Sequence, residues 1–441
     1  YAEPEAAALD GIPQDSLWSH VLVIPACNER PALLRPPPGC SGRSLLILVV
    51  NQSAGAAPEI SAANQALAEA VRTRFEPAWH SDVSANAPAI ASLQLFSDPK
   101  SSRDVLLVDR FGPRRELPVK GGVGHARKIG ADLATALIHR GLVQAPWIHC
   151  SDGDVELPAT YFEVVNETVG IDSGCAALIY PFEHVLADGG DPEVLRATRL
   201  YELSLHYYVA GLRFAQSPYA FHTIGSTIAV HASYYAKVRG VPKREAGEDF
   251  YLLNKLSKAG AIRALAASPA CLPIRIEARR SDRVPFGTGA AVTRISGLAD
   301  PVRDTLYYQP EVFGYLRRWL SSWRDIWASG TPDYSSIMTG QRDNAPGLDP
   351  QPLVLALGQI QAGHALEHAF RQSKSLDQFT RHLHTWFDAF RTLKLIHALR
   401  NSHYPSIDYS TLAAHPMFLA WVEHDDALGD FYRSQMPRIE I

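Results

Sequence analysis

Residues 147–162 read WIHCSDGDVELPATYF, an apolar run that ends in two aspartates one residue apart, Asp152 and Asp154. The run is typical of a buried strand, and Asp-Gly-Asp is ordinary loop chemistry because Gly153 can supply a positive φ. Two carboxylates so close together are costly without a cation or hydrogen-bond donors. Carboxylate oxygens suit Mg²⁺ or Mn²⁺, and these ions usually bind substrate phosphates as well. The stretch by itself is compatible with a turn or with a metal site.

Short apolar runs alternate with helical patterns through roughly the first 270 residues. Six runs predict buried strands: 21–26, 44–50, 104–109, 147–152, 175–182 and 226–231. Five segments between them predict helices: 59–76, 124–140, 158–168, 193–215 and 247–259. This alternation favours an α/β fold, a mostly parallel mixed sheet with helices on both faces. Ligands bind such sheets outside the carboxyl ends of the strands, where Asn28, Glu29, Asn51, Asp152 and Asp154 are expected.

The pattern changes along the chain in three places. Residues 35–42, RPPPGCSG, predict a tight connection, and residues 78–92 predict a loop. After about residue 300 only helical patterns remain, the longest at 353–372 and 376–401. We therefore predict an α/β domain over 1–300 and a helical C-terminal region over 301–441.

Composition is that of an ordinary globular protein. The 441 residues are 46% hydrophobic and 20% charged, and the net charge is -4. That charge gives no basic surface for nucleic acid, and no apolar run is long enough for an integral membrane segment. The first residues, YAEPEAAALDGIPQ, lack the pattern of a signal peptide, and the five cysteines lack paired spacing. We expect a cytoplasmic protein with reduced cysteines.

Five segments resemble, in order, the family 2 glycosyltransferases, inverting enzymes of the GT-A fold. They are VIPACNER (23–30), LVVNQSAG (48–55), GGVGHARKIGADLA (121–134), CSDGDVELPATYF (150–162) and AGEDFYLLNKLSKAGA (246–261). The resemblance covers roughly residues 19 to 270. It implies a metal-dependent enzyme that takes a sugar from a nucleotide-diphosphate sugar donor, with Mn²⁺ or Mg²⁺ as cofactor. The acceptor is unspecified: a saccharide, a lipid or a small molecule.

The resemblance also implies roles for single residues. Pro25 and Glu29 would hold the nucleotide base, although Cys27 stands where the family usually has tyrosine. Asn51 stands where the family carries the aspartate that reads the base. An amide has a different donor and acceptor set from a carboxylate, which weakens uracil as the expected base. Arg127 matches the arginine of the family's Ala-Arg-Asn segment, with Lys128 in place of the asparagine.

The aspartates and the downstream acidic pair then take the central roles. Asp152 and Asp154 match the family's DxD motif, with Asp154 on the metal and Asp152 on the ribose or on the metal. Glu248 and Asp249 match its Glu-Asp motif, which places the general base on Asp249 and leaves Glu248 to orient the acceptor. Gly225 would line the donor sugar. Without the resemblance, acidic residues in the first turn of a helix are ordinary.

Residues 277–292, EARRSDRVPFGTGAAV, form a glycine-containing basic segment. Arg283, with Arg279 and Arg280, has the guanidinium groups that suit phosphate oxygens. The segment could close over a diphosphate, bind a phosphorylated acceptor or face solvent.

Three alternatives remain at the level of sequence. His364, Glu367 and His368 fit the H-x-x-E-H pattern of a zinc peptidase, with Glu423 as one available third ligand. A sugar-nucleotide nucleotidyltransferase also uses metal-binding aspartates on an α/β sheet, but PACNERPALL (25–34) lacks the usual glycine-rich loop. A non-catalytic binding module derived from a glycosyltransferase is the third. The helical region could serve the acceptor site or a homo-oligomer contact.

Overall fold

The structure is a computed structural model that describes residues 1–14, 17–34, 42–81, 92–98, 102–168, 174–281, 283, 287–340 and 348–438. The chain forms two compact units. The first comprises Tyr1–Asp191 and Thr223–Ala290, and the second comprises Pro192–His222 and Ala291–Ile441. The segment that contains the predicted helix 193–215 thus belongs with the C-terminal residues.

Two sheets make up the first unit. Its strands, in chain order, are β1 (His20–Ala26), β2 (Ser44–Asn51), β3 (Glu76–His80), β4 (Ser92–Asp98), β5 (Arg103–Arg110), β6 (Trp147–Cys150), β7 (Val155–Glu156), β8 (Cys175–Ile179), β9 (Phe182–Val185), β10 (Ile228–His231), β11 (Ala261–Ala264) and β12 (Ile274–Glu277). The large sheet has nine strands in the order β11-β8-β10-β6-β1-β2-β5-β4-β3. All six predicted strands are present.

The large sheet is mixed. Its centre, β6-β1-β2-β5, is parallel. Strands β10 and β8 on one side and β4 and β3 on the other join in antiparallel fashion, and β11 pairs parallel with β8. The predicted α/β fold with a mixed sheet is confirmed, but the sheet is not mostly parallel, because four of its eight strand pairings are antiparallel. In the parallel centre, β1, β2 and β5 are buried at every position, which is why their sequences are continuous apolar runs.

Helices account for most of the remaining described residues. In chain order they are α1 (Pro58–Arg74), α2 (Gly122–His139), α3 (Glu163–Thr168), α4 (Pro192–Phe214), α5 (Ala232–Lys237), α6 (Glu248–Leu256), α7 (Thr288–Ser296), α8 (Pro301–Asp304), α9 (Glu311–Ser321), α10 (Trp323–Ser329), α11 (Tyr334–Gly340), α12 (Gln351–Gln359), α13 (Ala362–Gln372), α14 (Leu376–Trp386), α15 (Ala389–Ser402), α16 (Tyr409–Ala413), α17 (Pro416–His424) and α18 (Asp426–Gln435). Helix α4 and those from α8 onward belong to the second unit, with a two-stranded sheet, β13 (Leu306–Tyr307) and β14 (Ile407–Asp408).

Helix α2 lies close against the centre of the large sheet. A Cβ on Gly130 would lie 2.4 Å from Cγ1 of Val23 in β1, so the absent side chain permits this approach. Ile129, Leu133 and Leu137 of the helix are fully buried. The close packing fixes the first turns of α2 beside the carboxyl ends of β1 and β6.

A small second sheet, β7-β12-β9, connects distant parts of the first unit. Strand β12 pairs antiparallel with β7, which directly follows the Asp152–Asp154 loop. The pairing continues at Glu277, whose N–H donates to the Asp154 carbonyl at 2.9 Å. The basic segment after β12 is therefore held against the aspartate loop.

Two predictions of local structure were wrong in detail. The segment predicted as a loop over 78–92 begins inside β3, an edge strand whose residues are mostly exposed, so it carries no alternating apolar signal. The long helical patterns each break in two: at Gln361, which has φ +62°, and at Asp388, whose carboxylate accepts from Arg391 N–H as an N-cap. The predicted tight connection over 35–42 lies outside the described residues except for Gly42, as do residues 82–91.

Cys27, Cys150, Cys175 and Cys271 are free thiols, and Cys40 is outside the described residues. Within the described part of the chain, no helix combines the length and the apolar character needed to cross a bilayer.

Candidate functional site

Polar residues follow the parallel strands β1 and β6 where these strands end. Glu29 lies just beyond β1, and Asp152 lies just beyond β6. Parallel neighbours end at the same edge of the sheet, so distant sequence positions meet there. The first turn of α2 and the start of α6 complete this edge.

Arg127 of α2 joins three of the predicted site residues. Its Nε donates to Glu248 Oε1 at 3.1 Å, one terminal nitrogen donates to the Gly225 carbonyl at 3.1 Å, and the other donates to Asp152 Oδ1 at 2.9 Å. Arg127 and Glu248 are buried, whereas the Asp152 side chain is 36% exposed. A buried guanidinium held by two carboxylates is a rigid centre for the site. We call this group of four residues the Arg127 cluster.

Gly225 has a steric reason to be glycine. A Cβ at this position would lie 2.7 Å from a terminal nitrogen of Arg127. The predicted contact of Gly225 with a donor sugar stays a prediction, but its carbonyl has a defined partner in the Arg127 cluster.

A second cluster, the Glu29 cluster, comprises Glu29, Asp154, Arg279 and Arg283. One terminal nitrogen of Arg279 donates to Glu29 Oε1 at 2.9 Å and forms an ion pair with Asp154 Oδ2 at 2.7 Å. Arg283 bonds Glu29 as well, and it donates to the Cys27 carbonyl at 2.8 Å. Asp152 belongs to the Arg127 cluster and Asp154 to the Glu29 cluster. The loop that carries both aspartates therefore connects the two clusters.

Gly153, between the two aspartates, lies directly against Glu29. A Cβ on Gly153 would lie 2.7 Å from Glu29 Cγ. Glycine at this position therefore allows the carboxylates of Glu29 and Asp154 to approach the same guanidinium groups.

Asp249 differs from its neighbour Glu248 in access and in charge state. Glu248 is 3% exposed and bonded to Arg127, while Asp249 is only half-buried. Burial, and after it the charge of Glu248, raise the pKa of Asp249 to about 7. A carboxylate with a pKa near neutrality that solvent can reach has the properties of a general base.

The start of α6 depends on glycine. Gly247 caps the helix with φ +71°, a left-handed conformation that other residues adopt only with strain. This turn presents Glu248 towards Arg127 and leaves Asp249 more open.

Negative charge exceeds positive charge across the two clusters and Asp249. They contain five carboxylates, of Glu29, Asp152, Asp154, Glu248 and Asp249, and three guanidinium groups, of Arg127, Arg279 and Arg283. Burial, together with the charges of Asp152 and Glu29, raises the pKa of Asp154 to about 6 against the opposing charges of Arg279 and Arg283. Burial also acts on Glu29, but Arg279 and Arg283 lower its pKa below the usual value. The unfavourable ionisation of the group thus appears in the raised pKa values of Asp154 and Asp249.

This donor set fits a divalent cation in one specific way. Among the described residues, no group of three or more His, Cys, Asp and Glu side chains could hold a metal alone. Mg²⁺ and Mn²⁺ are often bound by one or two carboxylates together with substrate phosphates. Asp154 and Asp152 offer that arrangement, and their excess charge is what a cation would neutralise.

Asn51 and Pro25 have structural partners of their own. The side-chain nitrogen of Asn51 donates to the Ala26 carbonyl at 3.0 Å and the Val49 carbonyl at 3.1 Å, which ties the ends of β1 and β2 together. Pro25 is buried within β1, opposite Val49. Their contacts with a nucleotide base stay predictions, and for Asn51 the contact would involve Oδ1.

Comparison with known proteins gives limited matches. No family model matches the sequence, and no curated protein matches it. Among solved structures, the mannosyltransferase PcManGT from Pyrobaculum calidifontis, in complex with GDP-Man and Mn²⁺, is 14% identical, covering 98% of this chain and 92% of that chain, with a TM-score of 0.32.

The H-x-x-E-H pattern does not form a metal centre. His364, Glu367 and His368 are exposed on α13, and among the described residues they are not part of any group of three or more His, Cys, Asp and Glu side chains that could hold a metal. The proposed third ligand, Glu423, is exposed on α17 beside His424.

The binding partners of Arg279 could not be assigned from the sequence. The sequence marked it as one of three arginines in a basic segment, but the residues that it binds lie far away in the chain. Only the pairing of β12 with β7 brings it to Glu29 and Asp154. Arg280, by contrast, pairs with Asp191 at 3.3 Å.

The glycines before α2 contact protein backbone. A Cβ on Gly122 would lie 2.5 Å from Glu245 Cα, and one on Gly124 would lie 2.6 Å from the Arg244 carbonyl oxygen. The Gly124 N–H donates to that same oxygen at 3.1 Å. These glycines bring α2 against the segment that leads to Glu248, so their close approach is to residues 242–245.

Proposed function

We propose that this protein is a glycosyltransferase of the GT-A fold that transfers a sugar from a nucleotide-diphosphate sugar, with inversion and with Mn²⁺ or Mg²⁺. The observation that carries the proposal is the Arg127 cluster. It places Asp152, Glu248 and the neighbouring Asp249 at one edge of the sheet, beside Asp154.

Inverting transfer requires an acceptor hydroxyl to attack the anomeric carbon opposite the departing nucleotide. In the proposal Asp249 accepts the hydroxyl proton, because its pKa of about 7 matches a base that works near neutrality. Glu248 is fixed by Arg127 and orients the start of α6. Asp249 is thus the catalytic residue, and Glu248 is a positioning residue.

Asp154 and Asp152 would hold the divalent ion together with the donor's phosphate oxygens. When bound, the ion stabilises the negative charge that develops on the leaving diphosphate. Arg279 and Arg283 would bind the same diphosphate, since guanidinium groups suit phosphate oxygens. Glu29 holds both arginines in place for that contact.

Two substitutions test these roles in the full chain. Asp249→Asn should reduce transfer about 1000-fold or more while donor binding stays within about twofold, since a general base contributes roughly 10²–10⁴-fold and is not required for donor binding. Asp154→Ala should weaken metal-dependent donor binding itself. Transfer by radiolabelled donor and binding by calorimetry separate the two effects, and equal loss of donor binding in both variants would contradict the assignment.

The donor class can be found by thermal shift with UDP, GDP, dTDP and CDP, each with and without Mn²⁺. A ligand at about 100 times its dissociation constant stabilises by roughly 2.7 kcal/mol, which raises the melting temperature by several degrees. We expect one nucleotide to give a shift that requires the metal. No shift with any nucleotide, or pyrophosphate release from a nucleoside triphosphate and a sugar phosphate, would overturn the proposal.

A further inference from the structure

The second unit contains a cavity of about 560 Å³ between helices α9, α10 and α14. Its lining includes one arginine from each helix, Arg317, Arg324 and Arg381. A volume of this size is typical of sites for small molecules, which occupy roughly 300–1,000 Å³. None of the proposed catalytic residues lies in this unit.

The three guanidinium groups lack acidic partners in the described part of the chain. Arg317 lies over the Phe214 ring at 4.9 Å, and Arg381 donates through Nε to the Asp377 backbone carbonyl at 3.3 Å. No ion pair of Arg324 is found among the described residues. The stacking and the backbone bond orient two of the groups without neutralising them.

Charge in the cavity is strongly unbalanced. Among the described residues of its lining the only acidic side chain is that of Asp377, so three arginines accompany one carboxylate. A neighbouring depression of about 480 Å³ shares Arg381 and adds Lys374 without adding an acidic residue.

The remaining lining residues suit a small hydroxylated ligand. Ser321, Thr380 and Gln216 supply hydroxyl and amide groups, and Leu320 and Trp323 supply apolar surface. Arginine binds phosphate in a bidentate manner, and a phosphate monoester carries a charge of about −1.5 to −2 at pH 7. That charge matches the excess of two positive charges in the cavity.

We propose that this cavity is a binding site for a soluble phosphate-bearing small molecule, held by Arg317, Arg324 and Arg381. The site is separate from the proposed donor site and does not depend on the proposed function. The concave form favours a small ligand over a bilayer, and the net negative charge of the chain disfavours nucleic acid.

The test is calorimetric titration of the full chain with inorganic pyrophosphate and with glycerol 3-phosphate, in EDTA so that no metal assists binding in the first unit. We expect saturable binding with one site per chain. Arg324→Gln combined with Arg381→Gln should weaken it at least tenfold. Arg294→Gln, an exposed arginine on α7, is the matched control and should leave the affinity unchanged.

Three results would overturn the proposal. The double variant could bind with wild-type affinity while its circular dichroism and melting temperature are also those of the wild type. Binding could be lost in Arg279→Gln with Arg283→Gln and retained in the double variant, which would place the phosphate in the first unit. Binding only to vesicles that contain phosphatidic acid would assign the surface to a membrane instead.

Discussion

At the scale of the residue, Asp249 combines partial access to solvent with a pKa raised to about 7 by burial and by Glu248. In an unfolded chain the same group has a pKa near 3.8. The folded state therefore holds the proton more tightly than the unfolded state. This contribution to stability is complete below about pH 4 and is lost as the pH rises through about 7.

Asp249→Asn should consequently stabilise the protein at pH 8 and change it little at pH 4. We expect a gain on the order of 2 kcal/mol at pH 8, because one pKa unit corresponds to about 1.4 kcal/mol and partial exposure screens the interaction. Urea unfolding at the two pH values measures the difference. Asp10→Asn, which alters an exposed carboxylate, is the control. Equal effects of Asp249→Asn at both pH values would contradict the raised pKa.

Sequence analysis could identify most acidic members of the site at this scale, because Asp152, Asp154, Glu248 and Asp249 stand in short recognisable segments. It could not identify what neutralises them. Arg279 reaches Glu29 and Asp154 only through a strand pairing between segments far apart in the chain. The local sequence does not predict such a pairing, because strands as short as β7 and β12 have too few residues to show a pattern.

At the scale of the element, α2 connects the N-terminal residues, the Arg127 cluster and the segment before α6. Gly124 is one point of close approach to that segment, because a Cβ there would lie 2.6 Å from the Arg244 carbonyl oxygen. The contact is with backbone, so it cannot be relieved by a side-chain rotation.

Gly124→Ala should therefore separate α2 from residues 242–245 and disturb the start of α6. We expect destabilisation of about 1–3 kcal/mol, the usual cost of overpacking, together with loss of transfer. Gly358→Ala is the matched control, because a Cβ there would lie 3.8 Å from Tyr334 Oη, an ordinary van der Waals distance, and the residue lies inside α12. Urea unfolding and activity measure both effects, and equal stability of the two variants would contradict the steric argument.

Glu3 binds the N-terminal residues to α2. Its carboxylate bonds His125 at 3.1 Å and Lys243 at 2.8 Å, and its N–H donates to Asp132 at 2.8 Å. Burial acts to raise the Glu3 pKa, but His125 and Lys243 outweigh it and lower the pKa to about 2. A lowered carboxyl pKa stabilises the fold above about pH 4.5, and this contribution is lost as the pH falls through about 2.

Glu3→Gln should thus destabilise the protein at pH 7 by on the order of 2 kcal/mol, after allowance for solvent screening. The difference from the wild type should shrink between about pH 4.5 and pH 2. Unfolding by urea at pH 7 and pH 3 measures it. Glu59→Gln, in the exposed first turn of α1, is the control. A stability difference that does not change with pH would show that the charge of the Glu3 carboxylate does not contribute to the free energy of unfolding.

At the scale of the whole molecule, the parallel centre of the large sheet follows from the sequence, because strands buried on both faces read as continuous apolar runs. The antiparallel strands on either side of that centre do not follow from the sequence. Strand β3 is exposed and short, and the direction of β10 depends on its pairing with β6 and β8. The grouping of α4 with the C-terminal helices cannot be predicted from the sequence either, since the helices that it packs against lie about a hundred residues or more downstream.

That grouping decides how the chain can be divided. Tyr207 of α4 is buried and its ring contacts Phe313, Phe418 and Trp421 of the same unit. The Tyr307 hydroxyl also donates to the Leu200 carbonyl at 3.0 Å. A fragment that keeps α4 and lacks residues 301–441 would leave this apolar face of α4 without the aromatic side chains that cover it.

A fragment of residues 1–300 should therefore aggregate, because large exposed apolar patches promote association. A fragment that joins Tyr1–Asp191 to Thr223–Ala290 through a Gly/Ser linker retains the described sheets of the first unit and omits α4. We expect it to be monomeric in size-exclusion chromatography and to unfold cooperatively, as compact units with their own core can. If the 1–300 fragment is monomeric and cooperative while the joined fragment is not, α4 belongs functionally with the first unit, and the predicted boundary near residue 300 is the correct one.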